Sequence, residues 1–188
     1  MNSRSDISTN DNTPSDMFSI ARVSYEEAYA GIDALSDVLV DCVEGGASVS
    51  FMLPINRSTA VNFWTKVVAD VKEGKRALLI ARDAQEEIVG TVQLILDLPE
   101  NQPHRADVAK MLVHRRARRA GVAQRLLSTL EQVAKQERRT VLVLDTVTGG
   151  DAERLYARMG WQRVGTVPDY ALMPDGKLCS TTFFHKKL

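Results

Sequence analysis

An α/β fold is predicted, with a mixed central sheet of about seven strands flanked by about four helices, on three observations. Short apolar runs of strand character recur along the chain. Stretches with apolar residues three and four apart lie between them, and Gly, Pro and Asn mark the joints. The chain has 188 residues, 44% apolar and 26% charged, enough for one domain with a true core.

Phe18 to Val23 alternates apolar and polar side chains, a strand signal. Ser24 is a helix cap, with Glu26 and Glu27 in the first turn of a helix that carries Ile32, Leu35, Leu39 and Val43 and stops near Gly45-Gly46. A second helix follows Pro54 and ends near Gly74, burying Val61, Trp64, Val67, Val68 and Val71. Strands at 76–82 and 88–96 flank a polar turn, and another covers Asp107 to Val113 after the breakers Pro99, Asn101 and Pro103. The clearest helix runs from Gly121 to Glu137, with Val122, Leu126, Leu130 and Val133 on one face. Thr140 to Leu144 is a strand, 151–160 a short helix closed by Gly160, and 161–167 and 178–185 two last strands around Pro174-Asp175-Gly176.

Several function classes are disfavoured at once. Twenty-four basic and 24 acidic side chains cancel, whereas a protein built to grip nucleic acid usually carries a basic excess. Cys42 and Cys179 stand alone, and His104, His114 and His185 have no ligand spacing, so neither a metal site nor a disulfide framework is expected. Residues 1–16 read as a polar arm and 17–188 as the domain; the arm has no signal-peptide core, and no run is long enough to span a bilayer. A cytoplasmic protein with no membrane partner is the expectation.

The chemistry concentrates between Met111 and Ala123. A strand passes through a turn rich in arginine and directly into a long helix, whose free N–H groups and dipole favour an anion. Gly121 lets a phosphate approach the backbone, and arginines add charge-assisted hydrogen bonds.

Arg118-x-x-Gly121-x-Ala123 resembles the Gln/Arg-x-x-Gly-x-Gly/Ala signature of the GNAT superfamily of N-acetyltransferases. The resemblance implies acetyl-CoA as co-substrate, its diphosphate held by Arg118, Arg119, Ala120, Gly121, Val122 and Ala123. Its pantetheine would lie along Met111, Leu112 and Val113, where a bulge splays the fourth and fifth strands. Arg119 departs from the pattern, standing where Gly is usual. Ala152-x-x-x-Tyr156-x-x-x-Gly160-Trp161 resembles a second family signature, which implies that Tyr156 protonates the departing thiolate. Its apolar stripe with Ala152, Leu155 and Met159 also fits a packing role. Asp107, placed by alternation on the face of Ala109, Met111 and Val113, is the candidate general base, with a solvated or amine-ordering carboxylate as the alternative.

A narrower likeness, carried by residues 45–52, 104–108, 144–146, 168–170 and 174–176, is to the tabtoxin-resistance acetyltransferases and to kasugamycin 2'-N-acetyltransferases. It implies an antibiotic amine as acceptor. Asp41, Glu44, Ser48, Phe51, Trp64, Asp145 and Tyr170 are the expected pocket residues, carboxylates for cationic amines and rings for a sugar or lactam face. A peptide acetyltransferase and a non-catalytic acetyl-CoA-binding module are the alternatives. Homodimers are common on this fold, which keeps a second copy open as a partner.

Overall fold

A computed structural model describes residues 17–188, and the arm expected over 1–16 lies outside them. In order come β1 (Phe18–Arg22), α1 (Tyr25–Ala30), α2 (Ile32–Glu44), α3 (Arg57–Lys72), β2 (Arg76–Asp83), β3 (Ile88–Ile95) and β4 (Arg105–Val113). A 3-10 turn (Arg115–Ala117) leads to α4 (Val122–Gln136), β5 (Val141–Val147), α5 (Asp151–Arg158), β6 (Gln162–Leu172) and β7 (Leu178–Lys187). These strands form one sheet in the order β1-β2-β3-β4-β5-β7-β6, antiparallel throughout except between β4 and β5.

Local chemistry explains where the boundaries differ from expectation. Ser24 and Glu27 form a reciprocal capping box at α1. The single helix expected from Ser24 to Gly45 breaks at Gly31, where a Cβ would meet Glu27 O and Ile88 Cδ1, each at 3.2 Å. α3 starts at Arg57 because Asn56 caps it, its Oδ1 accepting from Thr59 N at 3.0 Å. β6 continues past Val167 to Leu172, held by its ladder to β7, with an irregularity between Val167 and Ala171.

The sheet separates two apolar cores. On one face Leu126, Leu127 and Leu130 of α4 pack on Leu79, Leu94, Leu142 and Phe184, and Tyr156 of α5 joins them. On the other, Leu35 and Leu39 of α2 and Trp64 and Val67 of α3 pack on Leu78, Ile80 and Leu112. Each fully buried leucine contributes roughly 1.5–3 kcal/mol.

β4 carries the decisive irregularity. Gln93 of β3 faces Ala109 and Thr91 faces Leu112, so Lys110 and Met111 together oppose one residue. This is a β-bulge, with Lys110 at φ +50°. It corrects the alternation expected for the strand. Leu112, not Met111 and Val113, shares the face of Asp107 and Ala109, because the extra residue reverses the side-chain phase. Met111 and Val113 pack on the α4 side instead.

Candidate active site

β4 and β5 pair only over Arg105–Asp107 and Val141–Val143. Beyond Asp107 and Val143 they part, β4 staying with β3 and β5 with β7. A wedge therefore opens between Val108–Val113 and Leu144–Val147. Asp107 stands at its apex.

At the wide end of β4 the chain forms a nest. Arg119 has φ +63° and Gly121 φ +79°, left-handed residues that aim successive amides inward. A Cβ on Gly121 would touch nothing within 4 Å, so the backbone angle and the room for a ligand are what glycine supplies. Arg119 strains where glycine would not, which explains the usual glycine at this position. Val122 is buried beneath the helix start, while Ala120 is exposed and Ala123 half-buried.

The arginines divide their work. Arg115 donates to Asp41 from its backbone N and from Nε, each at 2.8 Å, and Arg116 pairs with Asp83 at 3.2 Å. Arg118 Nε donates to Val113 O at 3.2 Å. Three of the arginines thus brace the loop against the scaffold. Burial alone would raise the Asp41 pKa, but the Arg115 hydrogen bonds outweigh it and hold the carboxyl below its ordinary range. Asp41 and Glu44 (3.8 Å from Arg115) belong to this brace rather than to a pocket wall, because α2 turns them toward the 3-10 turn.

Across the wedge, Tyr156 is buried against Trp161 and Phe184, ring centroids 5.8 and 6.0 Å away. Burial, reinforced by the charge of Asp145, pushes its phenol far above the ordinary tyrosine range, so the hydroxyl keeps its proton.

The sheet face away from α4 carries a second set of side chains beside the wedge. By register, Asp107, Asp145, Thr181 and Phe183 share this face. Asp145 accepts from Thr181 Oγ at 2.9 Å, and Tyr170 stands edge-on to Phe183 at 5.7 Å. Phe51 stands edge-on to Phe63 at 5.3 Å. Asp107 is ion-paired to Arg105. The loop between α2 and α3 is tied to the β6–β7 hairpin: Ser48 Oγ donates to Leu172 O at 2.8 Å, and Leu53 N to Pro174 O at 3.0 Å. Asp145 and Tyr170 meet through Phe183, Ser48 is bonded to the same hairpin at Leu172, and Phe51 packs on Phe63. Trp64 has no exposed surface and instead serves as core beneath Phe63. Lys110, which alternation places on the far face, reaches this face through the bulge. Its Nζ donates to Ser50 Oγ at 3.1 Å and lies 5.7 Å from the Phe63 ring centre.

Neither cysteine stands as an acyl carrier. Cys42 is buried, donates weakly to Val113 O at 3.5 Å, and burial pushes its thiol pKa up. Cys179 Sγ lies 3.9 Å from Ser48 Oγ.

The family model for the acetyltransferase (GNAT) family matches residues 51–161. The fold resembles that of a GCN5-related N-acetyltransferase from Kribbella flavida at 20% identity, covering 94% of this chain and 100% of that one, with a TM-score of 0.76. It also resembles yncA from Salmonella typhimurium, solved with its cofactor acetyl-CoA, at 16% identity, 91% and 94% coverage and TM-score 0.74. A ribosomal-protein-alanine N-acetyltransferase from Brucella melitensis matches at 20% identity, 90% and 99% coverage and TM-score 0.73.

Proposed function

From the premise that the chain belongs to the acetyltransferase (GNAT) family and uses acetyl-CoA, we propose that it acetylates a primary amine of a small-molecule antibiotic. An aminoglycoside such as kasugamycin or a tabtoxin-type β-lactam is the proposed class, and inactivation by acetylation would confer resistance. The observation that carries the small-molecule reading is the bridge from Ser48 and Leu53 to Leu172 and Pro174. A loop tied in this way across the β6–β7 hairpin would obstruct an extended peptide there.

Bound acetyl-CoA supplies an activated thioester. The amides of 119–123 would hold its diphosphate, that of Arg118 being given to Arg115 O at 3.3 Å, and the backbone of Met111–Val113 its pantetheine arm, with a strand amide stabilising developing oxyanion charge. Asp145 and the rings of Phe51 and Tyr170 meet the acceptor. Asp107, ion-paired to Arg105, orders the incoming ammonium or receives its proton, alone or through water. Tyr156 Oη delivers a proton to the sulfur. Burial keeps the phenol protonated throughout the working pH range, so the proton is there to give.

The test is thiol release from acetyl-CoA across kasugamycin, other aminoglycosides, a tabtoxin-type lactam and N-terminal peptides. Turnover of the antibiotics is the expected result. Turnover of peptides alone would replace the reading with a protein acetyltransferase, and acetyl-CoA binding without any turnover would leave a sensing module.

A further inference from the structure

We infer that the acceptor carries a carboxylate besides its amine, and that Lys110 is the residue that binds it. This inference rests on the acetyl-transfer reading and names the acceptor class more closely. It starts from where the bulge puts a cation. In a regular strand Lys110 would project to the α4 side; at φ +50°, beside a doubled register, it reaches instead onto the acceptor face.

There its ammonium is half-buried and only weakly satisfied. Ser50 Oγ accepts one hydrogen bond and Phe63 offers a ring. Among the described residues, no carboxylate lies within the 4.0 Å of an ion pair. Asp145, the carboxylate whose charge acts on Lys110, accepts from Thr181, and Arg76, a second cation acting on it, is held by Asp70. The charge of Asp145 reaches Lys110 without a direct ion pair, so this half-buried ammonium has room for an anion brought by a ligand.

A second observation points the same way. Gln93, with no exposed surface, faces Ala109 beside the bulge, and its Oε1 accepts from Arg76. Its Nε2 has no acceptor. Gln93 and Arg76 thus lie beneath the bulge with a donor in excess, and Lys110 is the member of this group that reaches the surface of the face. Asp145 stands across the wedge on β5, on the same face. An amino-acid-like acceptor fits this polarity, its carboxylate toward Lys110 and its ammonium toward Asp145 and the wedge.

The probes are amine pairs that differ only in the carboxylate: lysine with cadaverine, ornithine with putrescine, and phenylalanine with phenethylamine. With the full chain and acetyl-CoA, the acid member of at least one pair should have the higher kcat/KM. A charge-assisted hydrogen bond corresponds to about tenfold to a hundredfold. Lys110→Met should erase the preference by raising KM for the acid, and Lys110→Arg should retain it. Calorimetric affinity for acetyl-CoA should match the wild type in both variants, which verifies their folding. Equal handling of both members, a preference that survives Lys110→Met, or no turnover of any acid by protein that binds acetyl-CoA would overturn the inference alone. Failure of the wild-type protein to bind acetyl-CoA would remove the acetyl-transfer reading and this inference with it.

Discussion

The donor side of the wedge is made from one unbroken stretch of chain, Met111 to Ala123. The acceptor side is assembled from the 45–56 loop, the β4 bulge, β5 and the β6–β7 hairpin. The first needs backbone angles, at Arg119 and Gly121, and a helix start. The second needs side chains from distant segments, held by a few hydrogen bonds. A backbone nest tolerates many side chains and suits a donor common to a whole family. A face made of side chains can change its acceptor by substitution without touching the nest.

If the two sides are independent, variants in one should leave the other's ligand unaffected. The largest effect belongs to the reacting centre between them. Tyr156→Phe should lower kcat by about tenfold to a thousandfold and leave acetyl-CoA affinity unchanged by calorimetry. Unaltered turnover, with chemistry rate-limiting, would reduce Tyr156 to packing.

Gly121→Val comes next. A β-branched residue at φ +79° strains the nest by about 1–3 kcal/mol, so acetyl-CoA affinity should fall by about tenfold. The relative KM values of different acceptors should stay in order; a reordering would show the two sides to be coupled. Ser48→Ala removes one hydrogen bond of the bridge, worth about 0.5–1.5 kcal/mol. Acceptor KM should rise by up to about tenfold, with calorimetric acetyl-CoA affinity unchanged.

The smallest effect is one of pH on stability. The folded Tyr156 pKa lies above its unfolded value, so the folded state keeps a proton that the unfolded chain releases. That contribution is complete below the ordinary tyrosine pKa and is lost as pH rises through it toward the folded value. Alkaline unfolding curves of wild type and Tyr156→Phe should therefore converge at neutral pH and separate above about pH 10. Parallel curves would mean that Asp145 and burial do not perturb the phenol.

Much of this molecule was legible in order along the chain. Helical periodicity located α4, Ser24 announced its capping box, and Arg118-x-x-Gly121-x-Ala123 marked the nest, since helices, caps and turns depend on residues a few positions apart. The break at Gly31 was hidden in an apolar periodicity that runs past it, and the contact that leaves no room for a Cβ there, Ile88 Cδ1, comes from β3. Asp41 and Glu44 read as pocket carboxylates, yet α2 hands them to Arg115; Trp64 read as a ring for the ligand, yet packing took it into the core. Lys110 carried no signal at all, because a bulge arises from how two strands pair and reverses the phase that alternation assumes. By itself, then, the sequence determined the order of the strands and the placement of α3, α4 and α5, which rest on local patterns. Tertiary structure alone decided which charges face the acceptor, because that depends on register between strands far apart in the chain.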